Sequence, residues 1–158
     1  MNVADLVKLI GNAKGCQIFP PIGLPIAEQD LPKDIIDFYQ ACNGLTLFEN
    51  AKYSLTISTV ERFTLANPEI VGELCPEDIS SRWYIIGRSD SGQAVTIDLD
   101  PKRLGRCYDS YWDRHGVKGS CPVIANTFTE FLQFMFLNNG KYWYWLGSNF
   151  HSLGDAYD

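Results

Sequence analysis

The chain has 158 residues, of which 46% are hydrophobic and 13% aromatic, enough for one ordinary hydrophobic core and few for two. Its 13 basic and 19 acidic side chains give a net charge of −6, which argues against a nucleic-acid partner because proteins that bind phosphate backbones carry a basic stripe. We therefore expect one domain over residues 1–158. A basic protein partner is compatible with this charge, although a modest negative charge also serves solubility alone.

The N-terminal residues predict a short helix and no targeting segment. Asp5 comes early and no long apolar run follows it, so we expect neither a secretory signal nor a membrane-spanning helix. This predicts a cytoplasmic protein without a membrane partner. Apolar residues at helical spacing predict an amphipathic helix, namely Val3, Leu6, Val7 and Ile10. The proline- and glycine-rich residues 15–31 predict a structured connector.

Residues 31–48 contain the signals for both ends of a helix. Pro32 has no N–H group to lose in a first helical turn, and Asn43-Gly44 tolerates positive φ just beyond the last turn. Residues 45–48 and 53–57 then predict two short strands that pair as a hairpin.

The middle of the chain is predicted to continue as a helix and then an antiparallel meander. Ser58 or Thr59 caps a helix that ends at Asn67-Pro68, because the residue before a proline avoids helical geometry, and an irregular stretch follows. Two β-rich runs at residues 83–87 and 93–98 are separated by the tight-turn residues Asp90-Ser91-Gly92. Further strands are predicted at residues 106–112 and 122–125.

The C-terminal part is predicted to be a capped helix and a final strand. Thr127 and Glu130 form a capping box, an apolar stripe follows at helical spacing, and Asn139-Gly140 ends the helix. Tyr142-Trp143-Tyr144-Trp145 suits a strand, and residues 150–158 are polar enough to fray.

The sequence predicts no catalytic, cofactor or metal site. The five cysteines include no Cys-x-x-Cys pair, which argues against a disulfide framework and a zinc site. Turn and edge-strand positions explain the clustered aspartates Asp90, Asp98, Asp100 and Asp109 better than metal binding does. His115 and His151 are interpreted as a loop and a tail residue. Because Cys107 and Cys121 flank the loop that carries His115, an enzyme with a Cys/His site is kept as a minor alternative.

Aromatic residues exceed what one buried face needs. An exposed aromatic patch beside acidic residues favours a protein-binding surface, but a second layer of structure covering it is an equal explanation. The candidate partner-binding residues are Asp90, Tyr111, Trp112, Asp113, Tyr142 and Tyr144. The competing expectation is that Trp112 fills the core between the sheet and the final helix.

Several motifs in a fixed order resemble the SMI1/KNR4 family of the SUKH superfamily. They are Leu31-Pro32 with Phe38-Tyr39 and Asn43-Gly44, then Ile85-Ile86-Gly87, Gly92, Thr96-Ile97-Asp98-Leu99, Tyr111-Trp112-Asp113 and residues 124–132. The resemblance covers about residues 26–137 and leaves an aromatic C-terminal extension at residues 139–158.

This resemblance implies an α+β fold, a curved and mostly antiparallel sheet flanked by helices, with no catalytic set to transfer. It also implies a non-enzymatic protein-binding domain, often a bacterial immunity protein that binds and neutralises a toxin, commonly a nuclease. The alternative is an adaptor or regulatory scaffold that binds an endogenous protein. The oligomeric state stays open.

Overall fold

Four α-helices and seven β-strands make up the computed structural model, which describes residues 1–158. The helices are α1 (Val3–Gly11), α2 (Lys33–Ala41), α3 (Ala66–Ile70) and α4 (Phe128–Asn138). The strands are β1 (Gln17–Ile18), β2 (Leu45–Leu47), β3 (Leu55–Ile57), β4 (Trp83–Ser89), β5 (Ala94–Asp98), β6 (Cys107–Ser110) and β7 (Val123–Ala125). None of the helices has the length and apolar character needed to cross a lipid bilayer.

The seven strands form one antiparallel sheet in which spatial order follows chain order. The predicted hairpin with its turn at Asp90-Ser91-Gly92 joins β4 to β5, and Gly92 adopts the positive φ that such a turn requires. An α+β fold with an antiparallel sheet flanked by helices is therefore confirmed.

The sheet is covered on both faces. Alternate residues of a strand point to opposite faces, and in β4 Tyr84 and Ile86 join the main core that includes residues of α1, α2 and α4. Trp83 and Ile85 join a smaller core on the other face, which contains Ala66 of α3 and Ala156 of the C-terminal tail. The tail and α3 therefore supply a second layer.

Helix α2 begins where the sequence predicts. Pro32 is its N-cap residue, and Ile35, Phe38 and Tyr39 are buried against the sheet. The Tyr39 hydroxyl donates a hydrogen bond to the Ser58 carbonyl oxygen at 2.6 Å, which joins the helix to the end of β3. Gly44 has a φ of +80°, and a Cβ there would lie 2.5 Å from the Ile57 carbonyl oxygen, so no other residue fits without displacing backbone.

The cap of α4 is also present. The Thr127 hydroxyl accepts a hydrogen bond from the Glu130 N–H at 3.1 Å, while the Glu130 carboxylate accepts the N–H of Asn126, one residue before the capping position. Asn139 ends the helix in the left-handed conformation, as predicted.

Thr127→Ala should lower the free energy of unfolding by about 1 kcal/mol, because one N–H of the first turn of α4 loses its acceptor. Urea titration followed by far-UV circular dichroism measures the change. Thr127→Ser keeps the hydroxyl and should retain most of the stability. Equal losses in the two variants would contradict the capping role.

Three predicted elements are wrong in detail. Residues 60–65 do not form the predicted helix, since only a 3-10 turn at Val60–Arg62 is present. Helix α3 follows and includes Asn67-Pro68, where a proline is tolerated because N–H groups of a first turn have no helical partner. The predicted strand 106–112 ends at Ser110, and residues 111–115 form a turn.

The C-terminal segment also differs from prediction. Residues Tyr144–Leu146 form a 3-10 turn instead of a strand, because the aromatic side chains pack on one another and on α4 and leave no strand partner. Residues 150–158 do not fray, since Asp155 bridges Pro122 and the Ala156 N–H donates to the Cys121 carbonyl oxygen at 2.9 Å.

Candidate partner-binding site

Three connections meet at one end of the sheet. Leu55 pairs with Ser89 and Ala94 pairs with Ser110, so the β2–β3 connection, the β4–β5 turn and the turn after β6 lie side by side. We call this region, residues 49–54, 89–93 and 111–115, the hairpin end of the sheet. It brings together Asp90, Tyr111, Trp112 and Asp113.

Trp112 is the most exposed aromatic residue at the hairpin end, with 75% of its surface accessible. Its side chain does not fill the core between sheet and final helix. The Trp112 N–H donates to the Gln93 side-chain oxygen at 2.9 Å, so its backbone is fixed to the start of β5. An exposed indole on a fixed backbone has the properties of an interface anchor, because little conformational entropy is lost when it is buried.

The tail aromatics adjoin the hairpin end. The Trp143 ring contacts the rings of Tyr53 and Tyr111 edge-on, at centroid distances of 5.3 and 6.1 Å, and stacks on Trp145. Tyr142 contacts Tyr53 edge-on at 5.1 Å and remains 43% exposed. Trp143 therefore links the β2–β3 connection to the turn after β6, and Tyr142 extends the aromatic surface.

Tyr144 is placed differently from the other candidates. Its hydroxyl donates to the Ile124 carbonyl oxygen at 2.7 Å, and its ring packs against Phe134 of α4 and Phe150. Tyr144 also lines a shallow groove between α4 and the tail, together with Tyr142. Burial raises the pKa of its hydroxyl, since the charged form is poorly solvated there.

Unpaired charge at the hairpin end is mainly negative. Arg88 is paired with Glu69 at 3.0 Å, and Arg114 is paired with Asp109. Asp90 and Asp113 are exposed and form no ion pair. Two nearby cations form no ion pair: Lys52, which lies over the Tyr53 ring at 5.6 Å, and Arg62, which lines a pocket together with Asp90.

Asp98 and Asp109 are fully buried and lie in the interior strands β5 and β6. Their interpretation as turn and edge-strand residues is therefore wrong. Asp98 accepts hydrogen bonds from Trp83 Nε1 at 3.1 Å, the Tyr108 hydroxyl at 2.5 Å and Arg103 Nε at 3.0 Å. Burial raises the pKa of Asp98, and the Tyr108 and Arg103 contacts oppose that effect.

Asp109 lies on the other face of the sheet. Its carboxylate accepts hydrogen bonds from Trp145 Nε1 at 2.9 Å and Arg114 at 2.5 Å, and from the Tyr111 N–H at 3.1 Å. It thus ties the tail to the turn that carries Trp112. Both aspartates have structural partners, and no group of three acidic, histidine or cysteine side chains is arranged to hold a metal ion.

The cysteines flanking the histidine loop are poor nucleophiles. Burial raises the pKa of the Cys121 thiol to about 12 and that of Cys107 well above its usual value. The Cys121 thiol donates to the Asp109 carbonyl oxygen at 3.6 Å. A thiolate is therefore disfavoured at both positions at neutral pH, which removes the physical basis of a Cys/His site.

Sequence reasoning missed three contributors to this site. Gln93 holds the Trp112 backbone, Tyr53 packs on the tail aromatics, and His115 is buried. For Tyr53, the available signal was an aromatic residue in the predicted turn between β2 and β3, in a chain whose tail is rich in aromatic residues. For Gln93 and His115 no local signal exists, because their partners are distant in the chain.

The fold and this exposed aromatic end define a small α+β domain suited to protein binding. The chain belongs to the SMI1 / KNR4 family (SUKH-1), which matches residues 28–133, so the resemblance noted over residues 26–137 is confirmed. The chain is also 49% identical, over 160 aligned residues, to the immunity protein YokJ of Bacillus subtilis (strain 168). That alignment covers 100% of this chain and 97% of its relative. No solved structure gives a significant match.

Proposed function

We propose that this chain is an immunity protein, which binds a toxin and neutralises it without catalysing a reaction. The observation that carries the proposal is 49% identity along the whole chain to a protein named for immunity. Membership in the SMI1 / KNR4 family and the buried thiols with raised pKa support binding over catalysis. The absence of a bilayer-spanning helix is compatible with action in the cytoplasm.

The partner in this proposal is a basic toxin domain, such as that of a nuclease. A nuclease needs a cationic surface for its phosphate-bearing substrate, and a protein with a net charge of −6 is attracted to such a surface. Asp90 and Asp113 form no ion pair, so their charges at the hairpin end are free to attract the cationic surface. Blocking the cationic surface would exclude the substrate sterically.

The contact surface in this proposal is the hairpin end with the adjoining tail. Trp112 and Tyr142 supply exposed aromatic area, Asp90 and Asp113 supply charge, and half-buried Tyr111 supports the turn. Tyr144 contributes at the margin, where it borders the groove with Tyr142. Interfaces of this kind place aromatic residues at the centre and charges at the rim.

The function is tested by finding a toxin-like open reading frame beside the gene of this chain and producing that toxin together with the chain. Cells that make both proteins should grow, while cells that make the toxin alone should die. Purified chain should abolish toxin activity at a one-to-one molar ratio, because a binding protein acts stoichiometrically. Inhibition by catalytic amounts would contradict a non-enzymatic mechanism, and failure both to rescue and to bind would refute the immunity function.

The double variant Asp90→Asn, Asp113→Asn should associate with the toxin about three- to tenfold more slowly at low salt, because rim charges act mainly on the association rate. The difference in association rate should vanish near 0.5 M salt, where the Debye length is about 4 Å. Stopped-flow mixing measures the rates. Glu73→Gln with Glu77→Gln removes the same charge from the exposed segment before β4 and should have less effect. Equal slowing by both pairs would show that only net charge matters.

A further inference from the structure

Two buried side-chain atoms in the protein lack a hydrogen-bond partner, and both belong to the turn that carries Trp112. They are Nδ1 of His115 and the Tyr111 hydroxyl oxygen, which is near the Ser89 side chain but outside hydrogen-bond geometry. A buried polar atom without a partner costs about 1–3 kcal/mol, so such atoms are rare in native proteins and each needs a physical explanation. Both atoms belong to one short segment, residues 111–115.

The turn has helical spacing. The N–H groups of Arg114 and His115 both donate to the Tyr111 carbonyl oxygen, at 2.8 and 2.9 Å. Within the turn Tyr111 and His115 are directed inward, to opposite faces of the sheet, while Trp112 and Asp113 are exposed. Tyr111 packs against Trp143 on one face of the sheet, and His115 contacts Trp83 on the other at 5.6 Å between ring centroids.

The contacts of Asn67 determine the tautomer of His115. The Asn67 side-chain NH₂ donates to the Leu74 carbonyl oxygen at 3.2 Å and to the Ser80 hydroxyl at 3.0 Å, so its Oδ1 is an acceptor. That oxygen lies 2.6 Å from His115 Nε2, which must therefore carry the proton. Nδ1 then holds a lone pair, and protonating it would place an N–H with no acceptor in a site where the residue is only 6% exposed.

We propose that His115 and Asn67 are positioning residues for the partner-binding turn, and that they hold Trp112 in place only while the His115 imidazole is neutral. Partner recognition through Trp112 would then weaken in acid. The positioning is a property of the free protein, whereas its consequence for toxin affinity rests on the function proposed above.

The groups around the ring give the direction of the effect. Burial lowers the pKa of His115 to about 4, and the nearby Asp78 carboxylate opposes this shift. Asp78 is itself bound by the Tyr157 hydroxyl at 2.7 Å, and the smaller core on this face also contains Cys121, whose thiol stays protonated. The open turn exposes an imidazole with a pKa near 6.5, so the open form binds the proton more readily and acid favours opening.

Amide hydrogen exchange of the free, full-length protein tests the positioning directly. With pKa values of about 4 closed and 6.5 open, the opening equilibrium of the turn should rise about twentyfold between pH 7 and pH 5. The amides of Arg114 and His115 report this rise after correction for intrinsic exchange. They should exchange faster than those of α2 at both pH values, because the turn opens without global unfolding.

His115→Gln is the matched control, since its amide can donate to Asn67 Oδ1 and does not titrate. The variant should lose the twentyfold dependence on pH. Turn amides that exchange only as fast as those of α2 would overturn the proposal and make His115 an ordinary core residue. A rise of the same size in His115→Gln would overturn it as well. If His115→Gln does not fold, the comparison of turn and α2 in the wild-type protein decides by itself.

Toxin binding tests the consequence separately. Between pH 7 and pH 5.5 the dissociation constant of the wild-type protein, relative to that of His115→Gln, should rise by the factor by which the exchange data show the closed fraction to fall, measured by surface plasmon resonance. Equal ratios for the two proteins, in the presence of an open fraction that the exchange data detect at pH 5.5, would refute the link between the turn and recognition. No binding by either protein at any pH would refute the proposed function, while the exchange result for the free protein would stand.

Discussion

Trp112→Ala is expected to weaken toxin binding by roughly 2 kcal/mol or more, about thirtyfold in dissociation constant, with the melting temperature unchanged. Trp112 is 75% exposed, so removal of its indole leaves no cavity, whereas burial against a partner would desolvate most of the ring. Isothermal titration calorimetry with the toxin and thermal melting of the free variant measure the two quantities.

Two further variants test whether the effect on binding is specific to Trp112. Ile26→Ala removes an apolar side chain that is 93% exposed and lies in the connector before α2, so it should change neither binding nor stability. Tyr142→Ala should reduce binding and also cost some stability, because the ring packs on Tyr53. A fall in the melting temperature of Trp112→Ala that accounts for all of its lost binding would mean that Trp112 is structural.

Asp109→Ala is expected to lower the free energy of unfolding by about 3–5 kcal/mol. The change leaves Arg114, Trp145 Nε1 and the Tyr111 N–H without the carboxylate that they share, and removing one partner from a buried ion pair carries a penalty of that size. It also disconnects the tail from the turn, so toxin binding should fall with stability. Urea unfolding followed by tryptophan fluorescence measures the loss.

Asp113→Ala is the matched control for Asp109→Ala. The same chemical change four residues along removes an exposed carboxylate with no ion pair, and the stability should move by no more than about 0.5 kcal/mol. The two variants should therefore separate folding from recognition, since Asp113 is expected to affect toxin association alone. A loss below about 1 kcal/mol for Asp109→Ala would show that the buried carboxylate network contributes little.

Local signals were enough for helix α4 and the β4–β5 hairpin. The cap at Thr127, the left-handed Asn139 and the positive φ of Gly92 each act within a few residues, so helix α4 and the β4–β5 hairpin could be predicted without knowing the rest of the chain. Pro68 was predicted to end a helix, but it lies in the first turn of α3, where a proline is accepted.

The candidate site was predictable in part. Trp112 ends the predicted strand 106–112 and Asp113 follows it; both lie exposed in a turn, and of the two expectations for Trp112 the structure contradicts burial in the core. Tyr144 was selected by alternation in a strand that does not form, and its hydroxyl instead bonds to Ile124 of β7. Exposure of an aromatic side chain depends on what packs over it, which the residue's own neighbours in sequence do not reveal.

Sequence alone determined the family, the fold class and the ends of the main helices, because caps, turn residues and apolar periodicity act over short distances. Only the tertiary structure decided which polar residues are buried. Asp109 meets Trp145 across 36 residues, and His115 meets Asn67 across 48. Such pairs form because a buried charge or ring nitrogen needs a partner, and chain folding, not sequence proximity, supplies it.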